Sequence, residues 1–299
     1  MKVLVISGGN SDEREISLLS AENVCEALRK KLHQVELVDF REGFEKLKNQ
    51  VKQFDVVFPV LHGPEGESGV LQDFLEEQKV RFVGSDSKAC RASWNKIKFK
   101  EFCERSGIKT SPWFVLKPQN KDSLVAKIPF VVKPQDSGSS VDVYIIKSQE
   151  DLDKLDLKKL FAKYKELLVE DYIEGIEATV GVLGDDALPV IEIRPPEGEW
   201  FSYENKYSGK TKEIPDAPSL TNEQKQELQN ITSKIHKELG CRHFSRSDFI
   251  VGKDGIYALE INVIPGLTKE SLLPKAAQAA GISFEEMVER LINMASKSA

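Results

Sequence analysis

Cysteine and histidine are scarce in this chain of 299 residues, which holds four of each. Cys25, Cys90, Cys103 and Cys241 form no C-x-x-C pair, and four scattered cysteines in a chain this long exclude a disulfide framework. Buried free thiols in a reducing cytosol are expected instead. His33, His62, His236 and His243 stand at no metal-ligand spacing with them, so no zinc site is expected. Long apolar runs are also missing. None approaches the roughly 18 residues of a membrane span. The first apolar stretch, residues 3–6, stops at Gly8-Gly9 and is too short for a signal-peptide core, so it reads as a strand. Positive charge is not in excess. A net charge of −6 argues against a nucleic-acid partner, because phosphate backbones need clustered Lys and Arg. Neither a Walker A motif nor a G-x-G-x-x-G after the first strand occurs, so any nucleotide is gripped in another way.

What remains is the composition of a globular enzyme, 40% hydrophobic and 30% charged, in a chain long enough for two or three packed units. The first eighty-odd residues alternate strand and helix. Strands are expected at 3–6, 35–38 and 56–61. A helix from about Glu15 carries the apolar stripe Leu18, Ala21, Val24, Cys25, Leu28. The continuous apolar run at 56–61 fits a strand covered on both faces, hence a small parallel sheet. Ligands of such sheets bind at the strands' carboxyl ends, where Gly8-Gly9 and Leu61-His62-Gly63 lie. Boundaries near residues 84 and 169 divide the chain into units 1–84, 85–169 and 170–299. Helix 222–239 opens with a capping box, Thr221 with Gln224, and closes on Gly240. The last helix opens similarly at Ser283 with Glu286.

The hairpin over residues 247–262 is the most informative piece. A three-residue loop at 253–255 places Gly255 where positive φ is wanted and pairs Gly252 with Ile256. Asp248 then stands opposite Glu260. Side chains alternate along a strand, so Asn262 shares the face of Glu260. Two carboxylates and an amide oxygen beside Arg246 suit Mg²⁺, which keeps few protein ligands and takes the rest from phosphates and water. The alternative is a solvated acidic face on an edge hairpin. Gly138-Ser139-Ser140, just after a strand bearing Lys133, has the small residues that fold amides and hydroxyls over phosphates, although most such loops are only loops. Ser11, Glu13, Arg14, Glu15 and Ser17 crowd the first helix's start, where capping and dipole complementation alone would explain them. Tyr203, Lys206 and Tyr207 lie in a polar stretch that reads as a loop.

Taken in order, Ser11-Asp12-Glu13-Arg14-Glu15-Ile16-Ser17, Leu61-His62-Gly63, and Val132-Lys133-Pro134 with Gly138-Ser139-Ser140-Val141 resemble successive motifs of the D-alanine–D-alanine ligases, within the ATP-grasp superfamily. So do Tyr203-Glu204-Asn205-Lys206-Tyr207, Ser245-Arg246-Ser247-Asp248-Phe249 and the run from Glu260 to Thr268. The resemblance spans the full length. It implies an α/β fold with an N-terminal parallel-sheet domain and two further domains that sandwich ATP between antiparallel sheets. The implied partners are ATP and two molecules of D-alanine, with two Mg²⁺ (or Mn²⁺) ions, in a cytoplasmic homodimer. The implied product serves peptidoglycan synthesis.

Residue by residue, the resemblance implies Lys96 and Lys133 on the ATP phosphates and Lys206 on the γ-phosphate. Glu170 would accept from the adenine amino group, with the backbone of Ile173 nearby, and Glu177 would bind the ribose. Asp248, Glu260 and Asn262 would hold the metal ions, as the hairpin already suggested. Arg246 and the Gly266 N–H would stabilise the oxyanion. Glu15, hydrogen-bonded to Ser139 and Tyr207, would bind the first substrate's ammonium, with His62 close by. Ser271 and Leu272, at a helix start, would take the second carboxylate. The polar segment 203–220 is the expected lid. Asp142 departs from the family's glycine at that point, and as an acid beside the phosphates it is expected to weaken nucleotide binding. Asn95 before Lys96 and Ser68 after Glu67 also depart, each standing where the family commonly has Asp. Two rival readings are a sister ligase with another acceptor and a non-catalytic nucleotide-binding homologue.

Overall fold

The strand expected at residues 3–6 is the centre of a parallel sheet in the computed structural model, which describes residues 1–124, 126–207 and 209–297, the side chains of residues 121–123 and Tyr207 excepted. Strand β1 (Lys2–Ser7) lies between β2 (Gln34–Asp39) and β3 (Val56–Pro59), all parallel. Helix α1 (Arg14–Lys30) makes the first crossover and α2 (Gly43–Gln50) the second, and α3 (Pro64–Glu67) and α4 (Val70–Glu77) follow β3. Both faces of β1 are covered, which is why its run is apolar without alternation. Leu4 and Ile6 meet Leu47, Leu71 and Leu75. Val3 and Val5 share a core with Val24 and Leu28 of α1 and with Leu291 and Ile292 of the chain's last helix, Phe284–Lys297. The C-terminus therefore closes the core of the N-terminal unit.

Helices α5 (Ser87–Trp94) and α6 (Lys96–Arg105) come next. A four-stranded antiparallel sheet follows, built from β4 (Trp113–Leu116), β5 (Phe130–Pro134), β6 (Tyr144–Ile146) and, after α7 (Gln149–Lys154) and α8 (Leu157–Lys163), β7 (Leu167–Asp171). Its order is β4-β7-β5-β6. Leu116, Phe130, Val132 and Val169 pack on Leu160 of α8. The third part supplies β8 (Gly175–Leu183), β9 (Asp186–Ala187), β10 (Ile191–Arg194), α9 (Tyr203–Tyr207), β11 (Lys212–Pro215), α10 (Asn222–Glu238), β12 (Phe244–Gly252), β13 (Gly255–Asn262), α11 (Leu272–Ala279) and α12, the last helix. Its antiparallel sheet runs β11-β10-β8-β12-β13, with β9 paired to β8. The capping box of α10 forms as expected: Gln224 N donates to Thr221 Oγ1 at 3.3 Å and Thr221 N to Gln224 Oε1 at 2.9 Å.

Three local outcomes differ from the sequence reading. Cys90, Phe99 and Phe102 of α5 and α6 enter the core of the larger sheet, with Val180, Phe249 and Ile261, rather than that of the small sheet they precede. The polar stretch after Tyr203 is not simply a loop, because α9 forms there and β11 pairs antiparallel with β10. In the hairpin, Gly252 pairs with Gly255 rather than Ile256, so the turn is one residue shorter than expected. A bulge then leaves Leu259 unpaired and brings Asp248 back opposite Glu260.

Candidate active site

Two adjoining cavities gather most of the residues singled out above. The first, about 440 Å³, lies between the two antiparallel sheets, with Val131 and Lys133 of β5 and Ile145 of β6 on one wall. Glu177 of β8, Ile193 of β10 and Asp248 and Ile250 of β12 form the other. The second, about 530 Å³, opens toward the carboxyl ends of the parallel sheet and is lined by Glu13, His62, Ser139, Arg246, Asn262 and Ser271, among others. Lys96, Lys206, Glu260, Phe201 and Ser137 line both cavities and form the wall they share.

The carboxylates of the hairpin are held by their neighbours. Arg246 donates from Nε and Nη2 to the two oxygens of Asp248, at 2.9 and 2.8 Å, and the Thr179 hydroxyl adds a bond of 2.5 Å to Oδ1. Asn262 Oδ1 accepts from Ile264 N at 2.9 Å. Glu260 lies 3.3 Å from Lys96 Nζ. Burial disfavours its charge, but Lys96, Lys206, Lys133 and Arg246 outweigh that and hold its pKa at about 2. Among the described residues no three His, Cys, Asp or Glu side chains converge as a metal cluster. Two carboxylates and one amide oxygen nevertheless fit a hard divalent cation that completes its shell from phosphate and water.

The three lysines expected on phosphates, Lys96, Lys133 and Lys206, all line the first cavity. Lys96 opens α6; its N–H donates to Gln135 O at 2.7 Å and its ammonium to Ser137 O at 2.5 Å. Asn95, in front of it, caps α6 by accepting from Lys98 N at 3.0 Å. Lys206 stands over the Phe201 ring, 4.9 Å from its centroid. Lys133 pairs with Glu170 Oε1 at 2.5 Å, and Lys100 takes Glu170 Oε2 at the same distance. Burial opposes ionisation of Glu170, yet the two lysines keep its pKa at about 2. Glu177, on the opposite wall, is pushed up to about 7 by burial, with Lys206 only partly compensating. Ile173 lines the same cavity.

Asp142 lines neither cavity. Its carboxylate accepts from Lys163 Nζ at 2.7 Å and Tyr164 Oη at 2.6 Å, away from the cavities, which corrects the expectation that it opposes nucleotide. Its loop is strained, with Ser139, Ser140 and Asp142 at φ of 49°, 60° and 55°, where side-chain-bearing residues are uncommon.

One assignment is corrected by geometry. Ser139 Oγ donates to a carboxylate oxygen of Glu13, and Glu13 rather than Glu15 lines the second cavity. Glu15 is exposed. Helical phase explains this. The inward face of α1 runs through Ser17, Ala21, Val24 and Leu28, and four residues before Ser17 comes Glu13. Two residues before it, Glu15 points elsewhere. The side chain of Tyr207, expected in the same triad, lies outside the described residues. His62 is buried, with Nδ1 3.2 Å from Glu67 Oε1 and, among the described residues, no hydrogen-bond partner for Nε2. Burial works against an imidazolium there, but Glu67 and then Glu13 leave its pKa above the ordinary value, and burial raises that of Glu67 too. Ser271 is the residue before α11, and its Oγ accepts from Thr268 N at 3.1 Å. Leu272 follows, buried against the cavity. A Cβ at Gly266 would stand 2.8 Å from Ser271 Oγ, so a larger residue there would have to displace that hydroxyl.

Glu13 and Glu67 line the second cavity and Lys100 stands behind the first, and sequence reasoning gave none of the three a role there. The phase of α1 would have found Glu13. No local signal marks Glu67 or Lys100, because their partners come from other elements.

Two antiparallel sheets facing each other across a cleft of lysines and carboxylates, beside a parallel N-terminal sheet, define the ATP-grasp architecture. Family models described as "D-ala D-ala ligase C-terminus" and "D-ala D-ala ligase N-terminus" match residues 102–293 and 39–85. A D-alanine–D-alanine ligase of Thermotoga maritima is 39% identical, covering 99% of this chain and 97% of its own. That of Aquifex aeolicus is also 39% identical, over 98% of this chain and 100% of its own. The crystal structure of the Bacillus anthracis ligase complexed with ATP superposes with a TM-score of 0.84 at 28% identity, covering 99% of this chain and 97% of the other. The chain belongs to the D-alanine–D-alanine ligase family.

Proposed function

We propose that this protein joins two D-alanines into D-alanyl-D-alanine with cleavage of ATP to ADP and phosphate, through an acyl phosphate. The observation that carries the reading is the wall of Lys96, Lys206 and Glu260 shared by the two cavities. A phosphoryl donor in the first cavity and a carboxylate in the second meet at that wall.

Lys96, Lys133 and Lys206 neutralise the ATP phosphates, Glu170 and the backbone of Ile173 meet the adenine edge, and Glu177 the ribose. Glu13 takes the first D-alanine's ammonium, with Ser139 fixing its carboxylate and His62 alongside. The substrate carboxylate oxygen attacks the γ-phosphorus, the bond to ADP breaks, and an acyl phosphate forms. Asp248, Glu260 and Asn262 would hold two Mg²⁺ or Mn²⁺ ions, which neutralise charge on the transferring group. Ser271 and Leu272, at the N-terminus of α11, take the second D-alanine's carboxylate. Its amine attacks the acyl carbon, Arg246 and the Gly266 N–H stabilise the oxyanion, and collapse expels phosphate. Water has to be kept out, since it would hydrolyse the acyl phosphate, and Asn205, Thr211 and Glu213, which line the second cavity, would serve that purpose. The setting we propose is a cytoplasmic homodimer. Among the described residues no helix is long and apolar enough to cross a membrane.

The test is phosphate release with ATP and Mg²⁺ and each of D-alanine, D-lactate, D-serine and L-alanine in turn, with product masses checked. Release with D-alanine alone and a D-alanyl-D-alanine mass supports the reading. Turnover confined to another acceptor would reassign the chain to a sister ligase.

A further inference from the structure

Lys100 is the one charged side chain with no solvent exposure among the described residues. An ammonium in that position is costly unless every proton finds an acceptor. Here each does: Glu170 Oε2 at 2.5 Å, Thr110 Oγ1 at 2.5 Å and Ser111 Oγ at 2.8 Å. The acceptors belong to different parts of the fold. Ser111 itself donates to Glu170 Oε2 at 3.0 Å, on β7 of the small sheet. Thr110 donates to Ala258 O at 2.8 Å, on β13 of the large one. Lys100 thus sits at the junction of the two sheets, one layer behind the cavity that Ser111, Glu170 and Lys133 line.

We propose that Lys100 is a positioning residue that fixes the charge and direction of Glu170 from behind, and so sets which nucleotide base the cleft accepts. The claim deepens the ligase reading and rests on it. Glu170 has two counter-ions with different duties. Lys133 faces the cavity, and an arriving polyphosphate draws on its charge. Lys100 is out of a ligand's reach and remains. With that constant partner, Glu170 stays an acceptor-only carboxylate. It favours a base offering an exocyclic amino group at this edge, as adenine does, and repels one offering a carbonyl oxygen, as guanine does. Without Lys100, burial would raise the carboxyl's pKa, and the protonated group would donate as well as accept.

The experiment compares wild type, K100M and the double variant K100M/E170Q in the presence of Mg²⁺ and D-alanine. In K100M the KM for ATP is expected to rise about tenfold or more, the loss of one charged interaction, while the KM for D-alanine changes by less than about threefold. The preference for ATP over GTP narrows. The KM for ATP also climbs as pH falls from 8 to 6, whereas the wild-type value stays flat. A glutamine at 170 needs no counter-ion, so the double variant folds and shows no pH dependence in its KM for ATP. If K100M alone does not fold, the double variant carries the test: a folded enzyme with flat pH dependence and relaxed base choice is the expected result. A wild-type ATP-to-GTP ratio in every folded variant overturns the proposal. So does a K100M enzyme in which both KM values worsen together. A wild type without ATP-dependent turnover would instead sink the ligase reading, and this inference with it.

Discussion

Asp248 faces Glu260 across the β12–β13 ladder because two irregularities cancel: a turn one residue shorter than the glycine pattern suggests, and a bulge at Leu259. The bulge restores the face on which Asn262 also stands. Arg246 pairs with Asp248 and Lys96 with Glu260, so the two acids coexist without repelling the fold apart.

Removing one of these acids should stop the reaction. Glu260→Ala would leave Lys96 buried without its carboxylate partner and delete a proposed metal donor. Phosphate release should drop by about three orders of magnitude or more, as expected when a transition-state charge contact worth several kcal/mol is lost. Chelation with EDTA should abolish turnover in the wild type, and added Mg²⁺ should restore it. Residual activity above a tenth of wild type in Glu260→Ala would remove this acid from the mechanism.

Glu13 and Glu15 separate cleanly by experiment. Glu13→Gln should raise the KM for D-alanine by about ten- to a hundredfold, the loss of one charge-assisted contact. Glu15→Gln, on the exposed side of α1, should stay within about twofold, like most surface changes. The reverse pattern in steady-state kinetics would restore the assignment that the geometry rejects.

Glu177 gives a pH dependence of known sign. Its pKa in the fold is raised to about 7, above that of an unfolded glutamate. The folded state therefore binds the extra proton between the two values. The contribution is fully present below the unfolded pKa and is lost as pH rises through about 7. Thermal melts of the ligand-free protein should show wild type losing ground to Glu177→Gln between pH 5 and pH 8. Parallel melting curves across that range would refute the shift. Glu170 and Glu260 act in a different window, since their depressed pKa values give stability that is lost only as pH falls below the usual carboxylate range toward about 2.

Asp142 anchors the end of α8 through Lys163 and Tyr164 and lines neither cavity. Asp142→Asn, which tolerates positive φ, should leave the KM for ATP within about twofold and lower the melting temperature by a few degrees, the effect of losing about 1 kcal/mol. A KM for ATP that falls severalfold would show that the acid does oppose the nucleotide.

Much of this protein is local, and the sequence alone determined it. Helix α10 is bounded by its own capping box, β1 declares its double burial by an unbroken apolar run, and the hairpin's acids and amide share a face by alternation. The motif order over the whole length also marks the family, because each motif is a short run whose chemistry needs those neighbours. Tertiary structure decided what depends on distant partners. Glu13 meets Ser139 across 126 positions, so only the docked phase of α1 shows which of two nearby glutamates enters the cavity. Helices α5 and α6 are amphipathic and fit either sheet by pattern, and the larger core claimed them. The charge on Lys100 makes sense only where Glu170, Thr110 and Ser111 converge. Periodicity and capping act over a few residues, whereas burial of charge is settled by whatever the whole chain brings within hydrogen-bond reach.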